Sequence, residues 1–291
     1  EKETTKGIAI IYAEGEIVDG SNESEVGGDT VAKLLRKARE DEDIKAVVLR
    51  VNSPGGSASA SEVIQRETRL LKQEKPFIVS MGTVAASGGY WISTYADKIF
   101  AQPNTITGSI GVFGMLPSVK GLMNEHGVNV DVAKTAPYAD IMTLYRPKNE
   151  AELDLIQQFV DFIYDEFLDK VTEGRNLERG HVEEIAQGRV WSGVEAKKLG
   201  LIDDLGGLED AIAAAAQKAN LGDQYKLVQY QEKKELVDEI LKQLGMKTQL
   251  MQPPGHVQKV VRDLNQSLKR LSWLNDPRCV YARMPYDLAA Y

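Results

Sequence analysis

The chain of 291 residues is long enough for one large or two small domains with a full hydrophobic core, and its 43% hydrophobic and 27% charged residues describe an ordinary globular composition. A formal net charge of −8 argues against nucleic acid and polyanionic substrates, which bind to a positive face. One cysteine, Cys279, excludes an internal disulfide and a multi-cysteine zinc site, and no apolar run reaches the roughly 18 residues that a membrane-spanning helix needs.

The opening stretch, Glu1 to Lys6, has neither an initiating methionine nor a signal-peptide pattern, so the chain reads as a piece of something longer. Residues 8–12 predict the first core strand. Gly27 to Thr30 then opens a helix whose Val31, Leu34, Leu35 and Ala38 follow helical spacing. Residues 44–51, rich in β-branched side chains, predict a buried strand that ends in Asn52-Ser53-Pro54-Gly55-Gly56-Ser57, and the helix after it turns Val63, Leu70 and Leu71 toward the core. Residues 76–80 predict another buried strand and 90–94 the following helix, which places Ser87 at a strand-to-helix turn. This alternation implies an α/β fold, a mostly parallel sheet covered by helices.

Further strands are predicted at 98–101, 110–112 and 128–132. A long helix over 149–175 places Leu153, Ile156, Val160, Ile163, Phe167 and Val171 on one stripe, suited to a scaffold or subunit contact. Short helices follow at 179–187 and 194–198, an alanine-rich helix at 208–220 and a closing strand at 225–230. Beyond Gln231 the pattern changes to two amphipathic helices, over 236–244 and 257–271, separated by Pro253-Pro254-Gly255; the second carries Lys259, Arg262, Lys269 and Arg270. Such a basic face lies on an anionic membrane or packs against protein. The organisation is therefore a domain over 1–230 and a C-terminal helical extension over 231–291.

Ligands of a parallel sheet collect at the carboxyl ends of its strands, where both Ser53-Pro54-Gly55-Gly56 and Ala86-Ser87-Gly88-Gly89 fall. A serine hydroxyl at a helix start, with unpaired N–H groups and glycines that admit a carbonyl, supplies the parts of an acyl-transfer site. The N–H groups of Gly56 and Gly88 would be oxyanion donors, each worth about 3 kcal/mol in the transition state. A plain tight turn is the alternative, and a phosphate cradle is disfavoured because neither loop has the required spacing. The acyl-transfer reading needs an accessible Ser87 oxygen and converging amides.

Val51-Asn52-Ser53-Pro54-Gly55-Gly56-Ser57, Ala85-Ala86-Ser87-Gly88-Gly89-Tyr90-Trp91 and Thr107-Gly108-Ser109-Ile110-Gly111-Val112 resemble, in order, three motifs of the signal peptide peptidase A family of serine peptidases. Gln187-Gly188-Arg189-Val190-Trp191-Ser192-Gly193 and the run Ala196 to Asp203 resemble its later block, and Asn275-Asp276-Pro277 is similar to the end of its long, two-lobed bacterial form. The resemblance implies a Clp protease/crotonase-like fold, Ser87 as nucleophile, Gly56 and Gly88 as oxyanion donors, and Ser109 as a hydroxyl that orients the base. It also implies a lysine base, which works only if burial lowers its pKa toward neutrality. In short members that lysine precedes an Asp-Ile-Met-like run, and here the position is Ala139, before Asp140-Ile141-Met142.

Long members take the lysine from the first lobe of the same polypeptide, so the resemblance implies that this chain is the second lobe, holding the nucleophile without its base. Lys134 is the nearest substitute, but its spacing from Ala139 puts it on the opposite face of an extended strand. Further implications are apolar peptide substrates such as cleaved signal peptides, membrane association, and a ring-like homo-oligomer of four copies. No cofactor and no metal are expected. Tyr90, Trp91, Phe113 and Met115 are candidates for an apolar substrate groove and otherwise core residues. His126, His181 and His256 read as surface residues. Two rival readings remain open: a non-catalytic scaffold lobe, and a crotonase-like acyl-CoA enzyme with the same paired N–H groups.

Overall fold

The computed structural model describes residues 6–22, 24–222, 224–230, 276 and 278–284; the two amphipathic helices expected between 236 and 271, and His256, lie outside them. The first part of the chain forms β1 (Gly7–Glu14), β2 (Ile17–Val18), β3 (Val26–Gly27), α1 (Gly28–Glu40), β4 (Ile44–Ser53), β5 (Gly55–Ser57), α2 (Ala58–Glu74) and β6 (Phe77–Ala86). The middle forms α3 (Gly88–Trp91), β7 (Lys98–Ala101), β8 (Ile106–Gly108), β9 (Phe113–Gly114), α4 (Lys120–Glu125) and α5 (Glu150–Arg175). Next come α6 (Arg179–Ile185), β10 (Val190–Ser192), α7 (Gly193–Lys198), β11 (Asp204–Leu205), α8 (Leu208–Lys218) and β12 (Lys226–Tyr230), and β13 (Val280–Arg283) stands near the end.

The main sheet is mostly parallel, as the alternation of strands and helices implies. β12, β1, β4 and β6 lie side by side in parallel, and β6 then forks: Ile78 to Ser80 pair with β7, Val84 to Ala86 with β8. β10 runs antiparallel to β8, and β11 extends β7. Strand periodicity sorts the core. Ile8 and Ile10 of β1, with Ala46 and Val48 of β4, face Ala211, Ile212, Ala215 and Ala216 of α8, while Ala9, Ile11, Ala13, Val47 and Leu49 face the opposite layer. Each fully buried large aliphatic contributes about 1.5–3 kcal/mol.

The fork in β6 needs a local device. The β4–β6 register shifts between Val51 and Ser53, and the Asn52 Oδ1 accepts the Val84 N–H at 3.2 Å in the gap. Beyond the gap, the Thr105 hydroxyl donates to the Gly82 carbonyl and the Thr107 hydroxyl to the Ala85 carbonyl, each at 2.7 Å, holding β8 to the last turn of β6.

A second, smaller sheet has the order β3-β2-β5-β13-β9. It brings the tail strand β13 back onto the body.

Three predicted elements differ. The strand expected at 110–112 is displaced to its two sides, β8 and β9, because Ser109 adopts φ 48° and breaks the extended run. Residues 128–132 form no strand; Val128, Val130 and Val132 alternate but are exposed, and no neighbouring described strand takes up their backbone groups. The α5 stripe is buried only from Ile163 onward, through Phe167 and Val171, whereas Leu153 is 46% exposed. In the first half of α5 only Phe159 and Val160 pack against the core, both partly buried, and the start of the helix is exposed on its Leu153 side.

Candidate active site

Ser87 sits where β6 ends and α3 begins. Its N–H donates to the Gly108 carbonyl at 2.8 Å, and its hydroxyl makes a long, weak bond of 3.4 Å to the Gly111 carbonyl. Its backbone, at φ 52° and ψ −113°, is one that L side chains rarely adopt and that costs about 1–3 kcal/mol. Strain of this kind is retained where the surrounding ladder over-determines the turn, and here the ladder points the chain directly into α3. As the first residue of α3, Gly88 has an N–H with no intrahelical acceptor.

The other glycine turn lies against this one. A β-carbon on Gly55 would stand 2.7 Å from the Gly88 nitrogen, and one on Gly88 would stand 3.2 Å from the Gly55 Cα and 2.7 Å from the Ser61 hydroxyl. Any side chain at either position would separate the two turns. Gly55 also has φ 97°, which glycine alone adopts easily. The Ser53 hydroxyl accepts the Gly55 N–H at 3.1 Å, and the Ser61 hydroxyl donates to the Ser57 carbonyl at 2.8 Å, so the β5 turn is pinned from both ends. The amides of residues 56 and 88 therefore belong to touching turns, as the acyl-transfer reading requires.

Ser109 joins them. It is 2% exposed, its N–H donates to the Arg189 carbonyl at 2.7 Å, and the Ile110 carbonyl accepts the Gly188 N–H at 2.9 Å. The block around Gln187-Gly188-Arg189 thus braces the loop that carries Ser109 and Gly111. Ser109, Gly111, Phe113, Tyr164, Gln187 and Arg283 line a cleft of about 400 Å3 that opens beside this loop.

The base candidates behave differently. Lys134 is partly exposed; its ammonium donates to the Pro137 carbonyl at 2.9 Å and to Asp140 Oδ1 at 2.7 Å, and no hydrogen bond joins it to Ser87. An ammonium in an ion pair on a wet surface has the opposite environment from the one that makes lysine a base. Ala139 lies on an exposed turn, its N–H donating to the Ala136 carbonyl at 3.2 Å. A buried lysine that sequence reading did not single out, Lys170, lies 5.5 Å above the Trp91 ring, but its amine is paired with Glu166 at 3.1 Å and Glu62 at 3.4 Å rather than with Ser87. Among the described residues, Ser87 has no lysine hydrogen-bonded to it.

One expectation changes. Ser87 has no exposed surface at all, contrary to the accessible hydroxyl that the chemistry calls for. Tyr90 and Trp91 take the core alternative: the Tyr90 hydroxyl donates to the Leu201 carbonyl at 2.8 Å, and Trp91 packs on Phe167 with ring centroids 4.5 Å apart while its edge borders a small pocket with Glu62, Phe162 and Lys170. Phe113 does line the cleft. His181 is tied to the Leu199 carbonyl at 3.1 Å, and His126 caps α4, both away from the serine turn. No group of residues among those described could hold a metal ion.

Residues 69–222 match the model of Peptidase family S49. The chain is 41% identical over 294 aligned positions to Protease 4 of Haemophilus influenzae and 40% identical over 284 to Protease 4 of Salmonella typhi, in each case covering 94% of this chain and 46% of the relative. It is 40% identical over 220 positions to the chloroplastic serine protease SPPA of Arabidopsis thaliana, covering 74% of this chain and 32% of that protein. The chain thus spans about half or less of the length of these relatives.

Proposed function

The chain belongs to peptidase family S49, with its Clp protease/crotonase-like fold, and from that premise we propose that it is the nucleophile-bearing lobe of a serine endopeptidase that hydrolyses apolar peptides such as cleaved signal peptides. One observation carries this reading: the turn that holds Ser87 and the turn that holds Gly56 touch through glycine positions. In the reaction the Ser87 oxygen attacks the scissile carbonyl while its proton passes to the base. The carbonyl oxygen gains a negative charge between the Gly56 and Gly88 amides, and the peptide amine leaves with a proton from the conjugate acid of the base. Water then repeats the sequence on the acyl-enzyme.

The base comes from outside these residues. The first lobe of the same polypeptide is the proposed source of the lysine, and the cleft beside Ser109 is a route by which an amine could reach the serine turn while the Ser109 hydroxyl orients it. Exposed apolar side chains on and before α5, Leu122, Leu144, Tyr145, Leu153 and Phe162, suit contact with that lobe or with other copies in a four-membered ring. Membrane association belongs to the same proposal. Among the described residues no helix is long and apolar enough to cross a membrane.

The test is Ser87→Ala in the full-length two-lobed protein, assayed on an apolar peptide and on an acyl-CoA. A peptidase loses turnover by at least about a thousandfold. A crotonase-like enzyme would bind acyl-CoA and keep its turnover, and that result would overturn the reading.

A further inference from the structure

The two amides that would receive the oxyanion sit at the starts of two helices. Gly56 lies just before α2 and Gly88 opens α3, so the spacing and aim of those amides depend on how the two helices are held against each other. Backbone contacts settle part of this. The Ser61 hydroxyl of α2 lies against Gly88, and Gly89 packs on the Ser53 carbonyl, which a β-carbon there would approach to 2.7 Å. These contacts press the turns together, but glycine has no side chain with which to resist rotation of α3 about its own axis. Nor is α3 long enough to hold itself: the Trp91 N–H donates to the Ser87 carbonyl at 2.8 Å and the Ile92 N–H to the Gly88 carbonyl at 3.1 Å, a single helical turn.

The Trp91 side chain supplies the missing hold. It is buried, its ring stacks on Phe167 of α5, and its indole N–H donates to Glu62 Oε2 of α2 at 3.3 Å. The same Glu62 oxygen lies 3.4 Å from Lys170 Nζ of α5, which stands 5.5 Å from the Trp91 ring centroid. One carboxyl oxygen therefore joins α2, α3 and α5. The Glu62 side chain is 49% exposed, so its truncation leaves no cavity in the core, and its contribution can be separated from packing.

Resting on the peptidase reading, we propose that Glu62 is a positioning residue for acylation of Ser87: through the Trp91 indole it sets the rotation of α3, and with it the aim of the Gly88 amide relative to the Gly56 amide. Lys170, on the same oxygen, keeps the Glu62 side chain turned toward the indole. Oxyanion donors act only within a narrow range of distance and angle from the developing charge, so a small turn of α3 weakens the transition state and leaves the substrate's ground-state contacts in place. The effect falls on kcat.

The experiment uses the full-length two-lobed protein and an apolar peptide substrate, with Glu62→Gln, Glu62→Ala, Trp91→Phe and the Glu62→Ala/Trp91→Phe double variant. Glutamine keeps an acceptor for the indole and alanine does not, whereas phenylalanine keeps an aromatic ring and loses the N–H. The proposal predicts kcat at least about tenfold lower in Glu62→Ala and in Trp91→Phe with KM within about twofold, no further loss in the double variant, and kcat within about threefold of the parent in Glu62→Gln. A smaller loss in Glu62→Ala, an equal loss in Glu62→Gln, or losses that multiply in the double variant overturns it. If Trp91→Phe does not fold, the contrast between alanine and glutamine at residue 62 decides the matter. A parent protein with no peptide turnover overturns the peptidase reading and this assignment with it, whereas turnover that Glu62→Ala keeps in full overturns this assignment alone.

Discussion

At the scale of single residues, Ser87 combines a costly backbone with a small polar side chain. If that conformation is imposed by the ladder around it, removing the β-carbon releases the strain while removing only the oxygen does not. Ser87→Gly is therefore expected to be more stable than Ser87→Ala by about 1 kcal/mol in urea unfolding, with both inactive. Equal stability of the two variants would show that the turn is unstrained. Ser87, Gly88, Gly56 and Ser109 were legible in the sequence because each lies in a short glycine-flanked motif after an apolar strand. The burial of Ser87 was not legible, since it depends on how the loop of residues 108–111 folds against the serine turn, where the Gly108 and Gly111 carbonyls accept from Ser87. Nor were the supporting roles of Asn52 and Thr107, which are polar residues inside strands whose meaning depends on a register shift and a cross-strand carbonyl.

At the scale of elements, the segment before α5 is held by charge rather than by packing. Arg146 donates to both Asp140 oxygens at 2.8 Å and to Glu152 Oε2 and Oε1 at 2.7 and 2.5 Å, and Glu152 also closes a capping box with Asn149 at the start of α5. Hydrogen bonds from Arg146, with a smaller contribution from Lys134, hold Asp140 well below its ordinary carboxylate range, and those from Arg146 and the Asn149 N–H lower Glu152 to about 2. Because the folded-state values are depressed, this stabilisation is complete above the ordinary value of 4.5 and is lost as pH falls toward about 2. Hydrogen-exchange protection at the Ala139, Ile141 and Thr143 turn amides, taken relative to the unstructured rate at each pH, should fall over that window, and in Arg146→Ala it should be lost already at pH 7. Exchange that ignores both acid and the substitution would refute this anchoring.

The long helix was readable from the helical spacing of Ile163, Phe167 and Val171, and the Asn149 and Glu152 capping pair found in the structure fixes its start. The alternation at Val128, Val130 and Val132 misled because a strand also needs a partner. β5 was hidden for the opposite reason: a three-residue run of Gly55, Gly56 and Ser57 has no strand signature, and its neighbours β2 and β13 come from remote parts of the chain.

At the scale of the whole molecule, the structure has two touching glycine turns, a serine, a braced loop that carries Ser109, and a cleft, and no lysine hydrogen-bonded to the serine among the described residues. The main sheet followed from the order of strands and helices, whereas the smaller sheet that crosses the site did not, because tail pairing has no local sequence signal. An assembly of this kind should gain its reactivity from outside. Fluorophosphonate labelling with peptide mapping tests that most directly, on this chain alone and on the full-length two-lobed polypeptide. The account predicts label on Ser87 in the full-length protein and little or none on the isolated chain; label on a different residue, or a full-length protein whose Ser87 stays unlabelled, would contradict it.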